Sequence, residues 1–118
     1  MSTSTNRAVV DQPRDAQRLE ITTKFFRGLT DPTRLRMVEL LLEEGEQSVS
    51  ELVARLGQSQ GRISSHLACL RWCGYVGSRR EGKYVYYQVT DERIATLIEL
   101  ARGIIAEHAE AILSCTRM

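Results

Sequence analysis

No stretch of this 118-residue chain approaches the roughly 18 consecutive apolar residues that a membrane-spanning helix needs. Its N-terminal run, M-S-T-S-T-N-R, lacks the apolar core of a secretory signal, so a cytoplasmic protein without membrane partners is expected. Three cysteines do not make a disulfide framework in that compartment. Cys69 and Cys73 are moreover four residues apart inside a helical pattern, where the Cβ geometry of a disulfide is poorly met. No nucleophile, base and orienting residue stand out as a set, which leaves no basis for an enzyme. The formal net charge is only +1, so the chain as a whole is no polycation.

What is present is ordinary in amount and uneven in placement. The length fits one domain, and 42% hydrophobic with 26% charged residues is the composition of a globular chain. Between Arg55 and Lys83 the basic residues Arg55, Arg62, Arg71, Arg79, Arg80 and Lys83 face Glu81 alone. Between Asp91 and Glu110 the balance reverses, with Arg93 and Arg102 against Asp91, Glu92, Glu99, Glu107 and Glu110. A basic centre with acidic flanks fits a local nucleic-acid footprint.

The centre of that footprint is S-Q-G-R-I-S-S-H-L-A-C-L-R-W-C-G, Ser59 to Gly74. Ser59 can cap a helix by accepting a first-turn amide, and Gly74 suits the position just past its end. Ile63, Leu67 and Leu70 recur at spacings of four and three and form one buried stripe. Gly61, Ser64, Ser65 and Ala68 fall on the opposite face, small and polar enough to sit against base edges in a major groove. Cys69 and Cys73 lie side by side on the flank between the two faces.

Around this helix the chain reads in order. Residues 1–16 carry no apolar period and are expected to form a mobile arm; residues 17–118 are expected to form the folded domain. A first helix to about Gly28 places Leu19, Thr22, Phe25, Phe26 and Leu29 on one side. Asp31-Pro32 restarts a second helix, with Leu35, Val38, Leu41 and Leu42 towards the core and Gly45 as its stop. Ser48 and Glu51 have capping-box spacing and open a third helix with Val49, Leu52, Val53 and Leu56 inside. The short Gly57-Gln58 connection to the Ser59 helix makes a helix-turn-helix pair. Tyr75 to Val89 changes to a two-residue period around the turn Arg80-Glu81-Gly82-Lys83, a β-hairpin with a basic tip that suits a phosphate backbone. The predicted fold is therefore mainly α with a β-hairpin wing, a winged helix-turn-helix. The residues expected to meet double-stranded DNA are Ser59, Gln60, Arg62, Ser64, Ser65 and His66 on the helix and Arg79, Arg80 and Lys83 on the wing.

Asp91 begins a long last helix. Ile94, Ile98, Ala101, Ile105, His108, Ile112 and Cys115 recur along it at spacings of four and three, a heptad seam that predicts packing against a partner helix. A homodimer held largely by this helix, with the first helix beside it, is expected.

The cysteines carry the remaining chemistry. Thiolates are soft donors, so Cys69, Cys73 and Cys115 together would suit cadmium, lead, mercury or trivalent arsenic. Two other readings stand beside that one: a redox-sensing repressor that works through a reactive thiol and a resolving partner without metal, and small buried side chains without chemistry.

The run S-x-x-x-I-S-x-H-L-x-x-L, followed by G-Y-V and a basic hairpin and preceded by D-P-T-R-L-R, resembles the arsenic-repressor (ArsR/SmtB) family of metal-sensing winged helix-turn-helix repressors. The likeness covers roughly residues 18 to 115. The H-L-x-C-L-x-x-C-G run makes the chain most similar to the cadmium- and lead-sensing CmtR branch. That resemblance implies an operator-binding homodimer released by metal, with the C-terminal cysteine donated by the other protomer and hence two symmetric sites per dimer. It also places His66 at the family's recognition-helix histidine, structural or near DNA. The family's arsenic-sensing C-x-C motif is absent, because Ser48-Val49-Ser50 stands in its place. The zinc-sensing arrangement of Asp and His on the last helix is interrupted, because Arg93 follows Asp91. His108 is the only imidazole on that helix, expected to pack rather than to serve as a fourth ligand. Gly61 stands where relatives often carry serine.

Overall fold

The computed structural model describes residues 13–116; the expected arm, up to residue 12, lies outside them. Helix α1 spans Pro13–Arg27, so residues 13–16 form its first turn. Helix α2 (Pro32–Glu44), a two-residue strand β1 (Gln47–Ser48), α3 (Val49–Leu56) and α4 (Gln60–Trp72) follow. Strands β2 (Gly77–Glu81) and β3 (Tyr84–Gln88) make the hairpin, and α5 (Glu92–Ser114) completes the fold. The sheet is antiparallel in the order β1-β3-β2. Gly77 pairs with Gln88 and Glu81 with Tyr84, so the strands extend to Glu81 and the turn tightens to Gly82-Lys83. Strand β1 pairs Gln47 with Tyr87 and Ser48 with Tyr86, anchoring the wing to the N-terminus of α3.

Local chemistry explains the helix boundaries. Asp31 accepts from the Arg34 amide at 3.1 Å ahead of Pro32, the arrangement of an N-cap followed by a proline that loses no helical bond. Ser48 and Glu51 complete a capping box, with bonds of 3.2 and 2.7 Å. At the end of α4, Gly74 adopts φ +89° and its amide donates to the Arg71 carbonyl, while the Tyr75 amide donates to Leu70. This pair of bonds is a Schellman closure, which needs a residue that tolerates the left-handed region.

The core gathers one face from each inner element. Met37, Val38, Leu40 and Leu41 of α2, Leu52 of α3, and Ile63, Leu67 and Leu70 of α4 are buried with Tyr75, Val76, Ile94 and Ile98. Helix α1 contributes little to it: Phe25, with Leu29 in the turn that follows, packs against the core, whereas Leu19, Ile21 and Phe26 stay exposed. Helix α5 divides. Ile94 and Ile98 are buried within the protomer, whereas Leu100, Ile104, Ile105, Ile112 and Leu113 are exposed. The seven-residue seam is thus covered internally at its start and open beyond Ala101. The helix is also broken at His108 (φ −128°, ψ 15°), so the seam does not run straight to Cys115. No helix among the described residues is long and apolar enough to cross a membrane.

Candidate nucleic-acid interface and thiol site

Helix α4 is held in place from its buried flank. The Arg34 guanidinium donates to the Gly28 carbonyl at 2.8 Å and the Arg27 carbonyl at 3.1 Å, closing the end of α1. Its Nη1 lies 3.4 Å from His66 Nδ1, and His66 Nε2 faces the Asp31 carboxylate at 3.8 Å. His66, expected among the DNA contacts, thus turns its ring to Arg34 and Asp31 at the start of α2, unlike the exposed Ser64 and Ser65. Gln58, in the turn of the helix pair, donates to Thr33 at 2.7 Å and braces the same junction.

The outer face of α4 is free. Gln60, Arg62, Ser64 and Ser65 are exposed. The Ser59 hydroxyl accepts from the Arg62 amide at 3.3 Å, so its first task is capping. A Cβ at Gly61 would meet nothing within 4 Å; glycine is not required there by packing.

The three wing cations are not equivalent. Arg79 donates two bonds of 2.7 Å to Glu46 and one of 2.7 Å to Glu81, and its guanidinium lies 4.9 Å from the Tyr86 ring centre. Hydrogen bonding to Arg79 holds the Glu46 carboxyl below its ordinary range. Arg79 thus fastens the wing to the strand-helix junction at Glu46. Arg80 and Lys83 are exposed and, among the described residues, have no carboxylate within 4 Å. Those two are the wing cations that no described carboxylate engages.

The thiols lie at the opposite end of α4. Cys69 and Cys73 are both half-buried, and the Cys73 amide bonds the Cys69 carbonyl at 3.1 Å. Burial first, and then the neighbouring Cys69, push the Cys73 thiol above its ordinary value. Tyr75 stacks on Phe25 with ring centres 4.7 Å apart, donates to the Phe25 carbonyl at 2.7 Å, and is pushed up to about 12 by burial and then by Cys73 and Cys69. Cys73 opens on a cleft formed with Phe25, Gly74, Asp91, Arg93, Ile94 and Leu97. Asp91 is engaged there: it accepts from Arg93 at 2.6 and 3.0 Å, which lowers its carboxyl to about 2.

Cys115 caps the end of α5 and is exposed. Among the described residues of one protomer, no three of His, Cys, Asp and Glu come together as a metal site. The fold brings Cys69 and Cys73 together and leaves Cys115 and His108 away from them. Two adjacent sulfur donors on a rigid helix suit a thiophilic ion, which would have to displace the proton that burial holds on Cys73.

Against known proteins, the profile described as "Bacterial regulatory protein, arsR family" matches residues 31–78, from the Asp31 cap to the second residue of β2. A probable mercury resistance operon repressor of Streptomyces lividans is 48% identical over 99 residues, covering 84% of this chain and 78% of that protein. The transcriptional regulator CmtR of Mycobacterium tuberculosis is 40% identical over 84 residues, covering 70% of each. The solution structure of a homodimeric winged helix-turn-helix DNA-binding domain from Mycobacterium bovis, a possible ArsR-family regulator, superposes with a TM-score of 0.74 at 30% identity, over 85% of this chain and 92% of that one.

Proposed function

The chain belongs to the arsR family of bacterial regulatory proteins and is a DNA-binding transcriptional repressor rather than an enzyme; from that premise we propose that it works in the cytoplasm as a homodimer whose operator is released when a thiophilic metal is held by Cys69 and Cys73 of one protomer and Cys115 of the other. The observation that carries this reading is the separation of the donors. Two sulfurs are adjacent on α4, and the third is exposed at the end of a helix whose outer apolar face is uncovered. A second copy that covers Leu100, Ile104 and Ile105 would bring a foreign α5 to the molecule. The homodimeric likeness of the Mycobacterium bovis domain supports the same assembly.

Residues of this chain account for each part of the switch. Ser64, Ser65, Gln60 and Arg62 face base edges and the groove walls, while Arg80 and Lys83 meet the flanking backbone. Two-fold symmetry predicts half-sites about 10 base pairs apart. A thiophilic ion supplies only a strong bond between thiolates. Cys69 and Cys73, once deprotonated, would hold the ion together with Cys115 of the partner subunit, and that tie would restrain α4 from following the operator. A coupling of ~1–3 kcal/mol between the two sites would weaken operator affinity ~5–150-fold.

Mercury(II) is the first ion to test, given the Streptomyces relative, and cadmium and lead are next, given the cysteine run shared with the CmtR branch; trivalent arsenic has the same preference for sulfur. A redox-sensing repressor is the second reading, in which oxidation of a thiol with a resolving partner releases the operator without metal. The test is a titration of the reduced dimer with each ion, followed by ultraviolet thiolate charge-transfer absorption and by operator anisotropy in one cuvette. Release in step with charge-transfer absorption supports the proposal. Release by a mild oxidant alone, without absorption from any ion, overturns it.

A further inference from the structure

Trp72 is 90% exposed, the most exposed of the large hydrophobic residues described. It is also the only tryptophan in the chain. Gly61, Ser65, Ala68 and Trp72 follow one another at spacings of four, three and four. They form a single line down the outer face of α4, opposite the fully buried Ile63, Leu67 and Leu70. Three of these positions are small and let the helix approach a surface closely; the fourth projects from the end of the line. Beside it, Ser64, Ala68, Arg71, Trp72 and Tyr87 line a cleft between α4 and strand β3 of the wing sheet. Arg71 is exposed and, among the described residues, has no carboxylate partner.

The occupant of that cleft follows from its dimensions and charge. From Gly61 to Trp72 the helix rises about 16 Å at ~1.5 Å per residue. The major groove is about 12 Å wide. A helix that presents its first two turns to base edges therefore carries its last turn past the groove wall, where the sugar–phosphate strand runs. A cation beside an aromatic ring matches that strand: guanidinium for phosphate, ring for the apolar face of deoxyribose. Continuity with the reading face through Ser64 and Ala68 puts both contacts on the same duplex.

We propose that Arg71 and Trp72 extend the operator interface, with the duplex backbone seated in the cleft between α4 and the wing sheet, Arg71 on a phosphate and Trp72 against the adjoining sugar. The assignment rests on the operator-binding reading and adds to it a sequence-independent contact at the thiol end of the helix. Trp72 immediately precedes Cys73, so this contact shares a helical turn with the metal ligands.

The single tryptophan makes the test direct. Emission and acrylamide quenching are measured on the full-length dimer alone, with a duplex selected by the protein from a random-sequence pool, and with an unselected duplex of the same length. Trp72 should be freely quenched in the dimer alone and protected on both duplexes. Trp72→Ala should bind both duplexes roughly fivefold to tenfold more weakly, as partial burial of one large aromatic side chain implies. Arg71→Ala should lower the salt slope of binding by about 0.9, one phosphate contact. Quenching that is unchanged on bound duplex overturns the proposal and leaves operator binding standing. Shielding of Trp72 already in the free dimer also overturns it, because a second copy then covers the ring. If the unaltered protein binds neither duplex, the operator-binding reading fails first, and this inference falls with it.

Discussion

The Cys73 sulfur lies 3.8 Å from the carbonyl oxygen of Lys24, so the thiol that ends α4 rests on the last turn of α1. Gly28 makes that approach possible. A Cβ there would come within 2.9 Å of Tyr75 Cε2, 3.2 Å of the Phe25 carbonyl and 3.4 Å of Cys73 Sγ. Gly28→Ala should therefore push Tyr75 and Cys73 off α1 and destabilise the fold by about 1–3 kcal/mol, the usual cost of overpacking. Urea unfolding at fixed protein concentration measures it, and an unchanged midpoint would show that α1 yields without cost.

The divided seam of α5 separates folding from assembly. Ile98 is 5% exposed and Ile105 is 47% exposed in the protomer. Ile98→Glu buries an unpaired carboxylate in the core and should unfold the protein or lose more than about 3 kcal/mol. Ile105→Glu should keep helical circular dichroism and sediment as a monomer that no longer binds operator. A folded Ile105→Glu dimer would remove the open face of α5 from the interface.

Much of this architecture is legible in the chain because its signals are local. The stripe Ile63, Leu67, Leu70, the Ser48–Glu51 box and the Gly74 closure each act within one or two helical turns, and period and spacing reveal them. Strand β1 is invisible to such reading, since two residues carry no period and Gln47 is ordered by Tyr87, forty positions on. Arg79 looks like its neighbour Arg80 in sequence; only folding brings Glu46 to it. The seam of α5 has one period throughout, and period says which residues share a face but not what covers them. The break at His108 has no proline or glycine at the site to announce it. For the thiols, the adjacency of Cys69 and Cys73 follows from helical spacing, whereas no local spacing relates Cys115, forty-two residues beyond Cys73, to that pair.

The wing distinguishes two kinds of cation. Arg80→Ala and Lys83→Ala should each reduce the slope of log affinity against log salt by about 0.9, as one lost phosphate contact does. Arg79→Ala should leave that slope nearly unchanged, because its guanidinium is already committed to Glu46 and Glu81; it should loosen the wing, seen as faster amide exchange at Tyr86 and Tyr87. Equal slope changes in all three variants would show that Arg79 leaves its carboxylates for DNA.

Acid should loosen the helix-pair junction through Asp31. The bond from the Arg34 amide lowers this carboxyl below its ordinary value of 3.8, against some desolvation, with His66 and the Arg34 side chain assisting. A carboxyl lowered in the fold contributes stability that is present above the unfolded value and lost as pH falls towards the folded one. Asp31→Asn should thus be less stable than the unaltered protein at pH 6, and the difference should shrink as pH falls below 3.8. Paired urea titrations across that window check it; a constant difference would assign the effect to packing.

Cys115 decides whether the thiol site crosses the dimer. Cys69 and Cys73 share α4, so an ion held by them alone joins no two elements and has little leverage on the spacing of the reading heads. Cys115 sits at the end of α5 beyond the His108 break, on an element whose outer apolar face is uncovered in the protomer. Cys115→Ser should keep operator affinity in the absence of metal, retain part of the metal affinity through the α4 pair, and lose most of the metal-driven release. Cys69→Ser and Cys73→Ser should lose both. A mixed dimer of Cys115→Ser with Cys73→Ser separates the two geometries: trans coordination leaves one of its two sites complete, whereas coordination within a protomer leaves neither. Metal-driven operator release by the mixed dimer, which neither variant gives as a homodimer, is the expected result. Its absence would rule out the shared site, and release by Cys115→Ser at the unaltered metal concentration would remove Cys115 from the switch.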